Sequence, residues 1–397
     1  MDAVTRRKFL ITSGVVGGVA LAGGATAFTL KDILDTAGWD DRPKDAKTLV
    51  IVTLYGGNDG LNTVIPYADS AYQSARPELA YRPDEVLKLD DQLGLSPALK
   101  GLKALYDQKK LAIVRGVGYP KPDRSHFRSM DIWQTAQPDR PGNTGWLGRW
   151  LDAVGGDPRH AVSFEPVLPP LLAGEKTAGA AVPLTGLKLP GGIKPAMLTG
   201  LGKPSPGEPP LQARAARAFA DLLAVDEMVK QVKGAEQTPE NPGTALHDQL
   251  DLVAQCIEAK VATRVFSVSL GGFDTHADEK TPQLGQLTKL DGALSSFAQR
   301  VAGKGVVTAV YSEFGRRVRA NASNGTDHGT AGPMFVFGDG VHGGMHGQQP
   351  SLTDLDQGDL KYHVDFRSVY AALLAKILQE DPAKILNGYS QQFEGLV

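Results

Sequence analysis

The sequence predicts an α/β protein built on a doubly wound, mostly parallel sheet with helices on both faces and one Pro/Gly-rich excursion. Three observations predict it. Short continuous apolar runs rich in Val, Ile and Leu recur along the chain, as buried parallel strands require. Stretches with helical spacing of apolar residues lie between several of these runs. Finally, the runs break off at glycines or polar turns where acidic and imidazole side chains gather.

Residues 1–27 precede the fold. Thr5-Arg6-Arg7-Lys8-Phe9-Leu10 is a twin-arginine pattern, the address read by the Tat translocase. The uncharged stretch from Phe9 to Leu30 is diluted by Gly14, Gly17, Gly18, Gly23 and Gly24, which suits an export signal better than a membrane span. Ala25-Thr26-Ala27 is a small-residue cleavage site, so the mature chain is expected to start near Phe28. This predicts a periplasmic or secreted protein that touches a membrane only if the signal stays uncleaved. No cysteine near the signal is available for a lipid anchor. Tat carries folded proteins, often with a cofactor loaded, so the signal raises the expectation of a metal.

A linker over 28–46 then leads into one domain over 47–397. Thr48 to Tyr55 is the first strand and ends at Gly56-Gly57; Leu111 to Gly116 is the second. Arg264 to Leu270 is the third, closed by Gly271-Gly272, followed by Val306 to Tyr311 and Met334 to Phe337. Helices are expected over Leu211 to Val232, Ala245 to Ala262, Leu284 to Val301 and Phe366 to Leu378. Between Phe164 and Pro210 the chain is crowded with Pro, Gly, Leu and Ala and has no helical period. That stretch, set at 163–210, reads as a lid or insertion.

Composition narrows the function. Among 397 residues, 42 Lys+Arg against 44 Asp+Glu give a net charge of −2, and loss of Asp2, Arg6, Arg7 and Lys8 with the signal moves it to −4. Such a balance excludes a strongly basic nucleic-acid binder. The single cysteine, Cys256, excludes an internal disulfide, and a chain this long needs none to fold.

The chemistry lies at the strand ends, where ligands bind in open α/β sheets. Gly56-Gly57-Asn58-Asp59-Gly60 follows the first strand, and Asp123-Arg124-Ser125-His126 comes shortly after the second. Phe273-Asp274-Thr275-His276 follows the third, Ser312-Glu313-Phe314-Gly315-Arg316 the fourth, and Asp327-His328-Gly329 precedes the fifth. Individually, Asp59 reads equally as a helix N-cap and Glu313 as a partner of Arg316 or Arg317. As a set, carboxylates about 5 Å apart at an effective dielectric of about 20 repel by about 3 kcal/mol per pair, so bound cations are expected. Mixed Asp/His ligation suits Zn²⁺, Mn²⁺ or Fe better than Ca²⁺. His342, His346 and His363 are loop histidines, any of which completes such a site. Gly338 to Gly343 spells G-x-G-x-x-G but follows the last clear strand, and no phosphate loop, nucleophile elbow or H-E-x-x-H is present.

Together Tyr55 to Asn62, Ser125 to Trp133, Phe273 to His276, Ser312 to Arg317 and Gly325 to Gly338 resemble the DUF1501 family of exported bacterial proteins, grouped with the alkaline phosphatase-like superfamily. The resemblance implies an alkaline phosphatase-like fold with two divalent ions, Zn²⁺ or Mn²⁺, and hydrolysis of a phosphate or sulfate ester through a covalent ester. It implies Asp59, Asp274, His276, Glu313, Asp327, His328 and His346 (or His363) as metal ligands, and Ser125, His126 and Arg316 as catalytic residues. The expected substrate is a small ester or saccharide, with no nucleic acid, and the family's gene neighbourhoods imply a partner protein. Two features depart from the superfamily pattern. Only Thr275 separates Asp274 from His276, where three residues are usual, and the usual nucleophile position falls on Pro122. Ser125, Ser129 or a metal-held water then attacks, or catalysis has been lost. A non-catalytic metal- or carbohydrate-binding relative and an assembly or scaffold protein are the alternative functions.

Overall fold

The computed structural model describes residues 30–38, 45–165, 168–182 and 245–397. The expected signal, part of the linker, most of the 163–210 excursion and the helix expected over Leu211 to Val232 lie outside the described residues. Fourteen strands are described: β1 (Thr48–Leu54), β2 (Val64–Ile65), β3 (Leu87–Lys88), β4 (Gly94–Leu95), β5 (Leu111–Gly118), β6 (Ala161–Ser163), β7 (Ala180–Ala181), β8 (Val265–Leu270), β9 (Val306–Ser312), β10 (Gly332–Gly338), β11 (Gly344–His346), β12 (Leu355–Asp356), β13 (Asp359–Leu360) and β14 (Val364–Asp365). The five expected strands are β1, β5, β8, β9 and β10. The described residues divide into two units, one of 45–142, 245–257 and 268–397, the other of 30–38, 143–165, 168–182 and 258–267.

In the larger unit the strand order is β11-β5-β10-β9-β1-β8, with β14 also on β5 and only the last half of β8 included. All seven residues of β1 are buried, which explains its unbroken apolar, β-branched sequence. β1 and β9 run parallel and in step, Thr48 opposite Val306 and Leu54 opposite Ser312, so both end at one level. β11 and β14 are parallel to β5.

The fifth expected strand supplies the departure from a purely parallel sheet. β10 is antiparallel to β9, with Phe335 opposite Val310, and antiparallel to β5, with Phe335 opposite Ile113. The reason lies in its connection: residues 313–331 contain no helix, so the chain is not carried back across the sheet and must reverse. The start of β10 therefore lies where β5 and β9 end.

Helices span Ala245–Glu258 and Lys280–Arg300, and Phe366–Leu373 continues into a π turn over Leu374–Leu378. Lys280–Arg300 begins earlier than its apolar pattern predicts because Pro282 sits in the first turn, where its missing N–H costs nothing. The helix His126–Thr135 is anchored by Trp133, which stacks on Tyr311 of β9 at 4.8 Å and packs against Phe366 at 4.6 Å. That contact sets where the first residue of the helix, His126, must lie. No helix among the described residues is long and apolar enough to cross a membrane.

Below the strand ends lies a buried ion cluster. Asp59 caps the short helix Gly60–Asn62 through the Leu61 N–H and pairs with Arg76, both side chains being fully buried. Arg76 also donates to the carbonyls of Val318 (2.8 Å) and Arg317 (2.6 Å). Glu279, itself buried, accepts from the Thr326 hydroxyl at 2.6 Å. Burial, reinforced by the charge of Asp59, pushes the Glu279 carboxyl up to about 8.

The smaller unit places β6 parallel to β7 and to the first half of β8. Phe164 stacks on Phe266 at 6.1 Å, and Trp146 and Trp150 of the helix Trp146–Ala153 are fully buried.

Two outcomes test this packing. Between about pH 4.3, where Glu is released in an unfolded chain, and pH 8, folded Glu279 keeps a proton that the unfolded chain has lost. Stability therefore falls as pH rises through that window and levels off above it. Glu279→Gln should flatten that slope and be more stable than the parent at pH 8, as read by denaturant midpoints. Arg76→Met strands the Asp59 charge and should cost about 3–5 kcal/mol in the same measurement.

Candidate metal centre

Three segments of the larger unit bring together four side chains of kinds that can ligate a metal. The stretch after β5 supplies His126, the turn after β8 supplies Asp274 and His276, and the segment before β10 supplies His328. Glycine makes the approach possible. Gly56 (φ +113°) lies so close to the Asp274 turn that a Cβ would stand 2.5 Å from the Asp274 backbone nitrogen, and one on Gly57 would stand 2.2 Å from the Phe314 ring.

Asp274 is the hub. Its Oδ1 lies 3.0 Å from His276 Nε2, 3.2 Å from His328 Nε2 and 3.4 Å from His126 Nε2. The Nε2 atoms of His276 and His328 are themselves 3.0 Å apart. His126, Asp274 and His328 form a set whose donor atoms all lie within 4.8 Å of one another.

The outward-facing nitrogens are engaged. His126 Nδ1 is 2.8 Å from Glu313 Oε1, and His328 Nδ1 is 2.8 Å from the Arg124 carbonyl. A carboxylate and a carbonyl only accept, so both imidazoles carry the proton on Nδ1, and in the neutral ring Nε2 turns a lone pair inward. His126 Nε2 is buried and has no hydrogen-bond partner. Imidazole lone pairs turned toward one carboxylate oxygen favour a cation among them, beside the Arg316 N–H that the same oxygen already accepts at 2.7 Å. Donors around a tetrahedral Zn²⁺ with bonds of about 2.0–2.1 Å stand about 3.3 Å apart, and the three imidazole nitrogens stand 3.0–3.4 Å from Asp274 Oδ1. The residues fit a divalent ion, with Glu313 and the Arg124 carbonyl orienting the ligands from behind.

Electrostatics supports the same assignment. Burial pushes Asp274 up, but the hydrogen bond and charge of Arg316 outweigh it and hold the carboxyl at about 2. Burial likewise raises Glu313, yet the His126 hydrogen bond and backbone amides, that of Gly56 among them at 2.9 Å, hold it below the ordinary value. The Glu313 hydrogen bond raises the His126 pKa, against its partial burial, whereas burial lowers that of His328.

The other expected site residues fall as follows. Glu313 faces His126 rather than Arg316 or Arg317, and so stands behind a ligand. Arg316 is fully buried and donates to Asp274 (2.7 Å) and to the carbonyls of Gly57 (2.6 Å), Phe273 (3.0 Å) and Thr326 (3.0 Å), so it positions the loops. Asp59 is not brought to the cluster; its carboxylate meets Arg76. Asp327 lies at the margin, 3.6 Å from His276 Nδ1 and 3.2 Å from Asn321 Nδ2. His346 sits on β11, bonded to the His342 carbonyl at 2.7 Å, and the His363 N–H donates to Gly116 at 2.8 Å. Ser125 is exposed at the start of its helix and makes no side-chain capping bond. Ser129 is buried against Tyr119 and the Asp123 carbonyl, each at 2.6 Å.

Sequence reasoning passed over Phe314, whose ring lies 4.8 Å from that of His126 and 4.9 Å from that of His328, and Arg124, which acts through its backbone. A buried aromatic between Glu313 and Gly315 was the available signal for the first; a carbonyl contact leaves none.

Residues 207–396 match a family described as protein of unknown function, DUF1501. Asp274, His276, Glu313 and His328 lie inside that span, while Tyr55 to Asn62 and Ser125 to Trp133 lie ahead of it. No curated protein matches the sequence. Among solved structures the chain is similar to the zinc complex of the C-terminal periplasmic domain of EcEptC from Escherichia coli, at 8% identity over 75% of this chain and 74% of that one, with a TM-score of 0.38. It is also similar to alkaline phosphatase from the Antarctic bacterium TAB5, at 12% identity over 74% and 92%, TM-score 0.33. A third is the soluble domain of lipooligosaccharide phosphoethanolamine transferase A from Neisseria meningitidis, at 13% identity over 75% and 78%, TM-score 0.33. The DUF1501 match falls on the second half of the chain, the part that carries Phe273 to His276, Ser312 to Arg317 and Gly325 to Gly338.

Glu313→Gln should weaken Zn²⁺ binding by about 10–100-fold, measured by competition with a chelating dye, with little change in the fold. Unchanged affinity would remove Glu313 from the orienting role.

Proposed function

We propose that this protein is a metal-dependent hydrolase of a phosphate or sulfate ester, acting outside the cytoplasm after Tat export. The observation that carries the reading is the convergence of three imidazole nitrogens on Asp274 Oδ1 at 3.0–3.4 Å, on a solvent-reachable strand edge. His126, Asp274, His276 and His328 would hold one divalent ion, Zn²⁺ or Mn²⁺. The position for a second ion, which Asp59 was expected to serve, already has its cation in the Arg76 guanidinium. Bound there, the ion would polarise the ester and offset negative charge developing on its oxygens.

Ser125 is the nucleophile we favour. It directly precedes His126, is exposed, and its hydroxyl makes no bond to the helix it begins. The first amides of that helix favour negative charge beside it. Ser129 is buried and held by Tyr119 and Asp123, which leaves it unsuited to attack. Arg316 keeps Asp274 ionised and fixed without reaching the surface.

Protein loaded with Zn²⁺ or Mn²⁺ is expected to bind one ion per chain and to hydrolyse p-nitrophenyl phosphate, its bis-ester or p-nitrophenyl sulfate. Asp274→Ala should abolish metal binding and turnover together, and Ser125→Ala should lower kcat at least about a thousand-fold with the metal retained. Stoichiometric metal with no turnover of any of the three esters rejects the hydrolase reading. Replacing both arginines of the signal, Arg6→Lys with Arg7→Lys, should retain the protein in the cytoplasm on fractionation; undiminished export would reject the Tat route.

A further inference from the structure

A cleft of about 450 Å³ lies beside the metal-binding side chains and takes no part in the function proposed above. Its walls include Tyr119 and Lys121 after β5, Phe314 after β9, Ala331 before β10, and Leu360 and Tyr362 from the β12–β13 hairpin and the segment that follows it. Two residues join this cleft to the metal centre. Phe314 is a common wall, since its ring also lies against those of His126 and His328. Arg124 spans the two regions: its carbonyl orients His328, and its guanidinium pairs with the buried Asp359 of the hairpin.

The chemistry of the lining selects its ligand. The Tyr119 hydroxyl is engaged by Ser129 at 2.6 Å, and the Thr330 hydroxyl, also on the wall, donates to the Leu360 carbonyl at 2.6 Å. Lys361 is paired with Asp354. What remains facing the cleft is mostly aromatic and aliphatic surface, with Lys121, the exposed Asp356 and a partly exposed Tyr362 as its polar residues. A sugar would lose hydration of several hydroxyls against a wall whose free polar groups are Lys121, Asp356 and the Tyr362 hydroxyl, whereas a flat apolar ring loses little and gains contact with the aromatic faces of Tyr119, Phe314 and Tyr362. The volume falls in the range of about 300–1,000 Å³ usual for small-molecule sites.

We propose that this cleft is the subsite for an apolar, ring-bearing portion of the substrate whose ester anion is held at His126, Asp274, His276 and His328. The protein is thereby a hydrolase of aryl or similarly ring-bearing esters in preference to short alkyl or sugar esters. This inference rests on the hydrolase reading and names its substrate class.

Calorimetric titration of the Zn²⁺-loaded full chain with phenylphosphonate and with methylphosphonate tests it, because neither ligand can be hydrolysed. Phenylphosphonate is expected to bind at least about ten-fold more tightly, through the buried ring. Tyr362→Ala should erase that preference without changing methylphosphonate affinity, and Tyr362→Phe should restore it. Tyr362 is 37% exposed, so its truncation leaves the core intact. Equal binding of the two phosphonates, or a phenyl preference untouched by Tyr362→Ala, overturns the subsite and leaves the hydrolase reading standing. Failure of both phosphonates to bind a protein that holds its Zn²⁺ overturns the hydrolase reading and the subsite with it.

Discussion

The Arg316 guanidinium is the contact on which the site depends. Fully buried, it gathers the carbonyls of Gly57, Phe273 and Thr326 and the carboxylate of Asp274. These groups belong to the segments that follow β1 and β8 and precede β10, so one side chain ties together three stretches that share no local sequence. A buried cation of this kind is stable only when its donors meet oxygens, and the strand-end carbonyls supply them. The same contacts fix Asp274 where the imidazoles converge. Gly56 and Gly57 belong to this arrangement because any side chain there would push the segments apart.

Charge is balanced residue by residue. Of the carboxylates grouped around shared cations from the sequence, Asp59 pairs with Arg76 and Asp274 with Arg316, Glu313 is held by the His126 hydrogen bond, and Asp327 stands at the margin beside Asn321. Only Asp274 remains partly exposed among converging imidazole nitrogens, with three of them and one carboxylate oxygen in reach of a single ion. Such a donor set suits a small divalent cation of intermediate softness. Another acid, Glu279, is buried and is held protonated at neutral pH by that burial.

Much of this was legible from residue patterns. The unbroken apolar run of β1 reflects burial of every one of its side chains. Asp274, His276 and His328 were readable because an Asp-x-His and an Asp-His pair at strand ends use two of only eight histidines. His126 was visible as part of the same edge, but its facing of Asp274 depends on the stacking of Trp133 on Tyr311, a contact between segments far apart in the chain. Asp59 was ambiguous for a physical reason: an Asp after a strand serves equally as ligand or N-cap, and it is Arg76, seventeen residues on, that decides.

Sequence by itself determined the α/β class, the positions of the main strands, and the kinds of donor atom that line one edge of the sheet. These follow from local periodicity and from the chemistry of single residues. Tertiary structure alone decided the direction of β10, and with it the placing of His328. A segment ahead of a parallel strand would lie at the opposite edge of the sheet; reversal of β10 brings His328 to the edge where β5 and β9 end. Strand direction is set by how the connection crosses the sheet, and pairing of acids with arginines by distances through space. Neither is written in the spacing of residues along the chain.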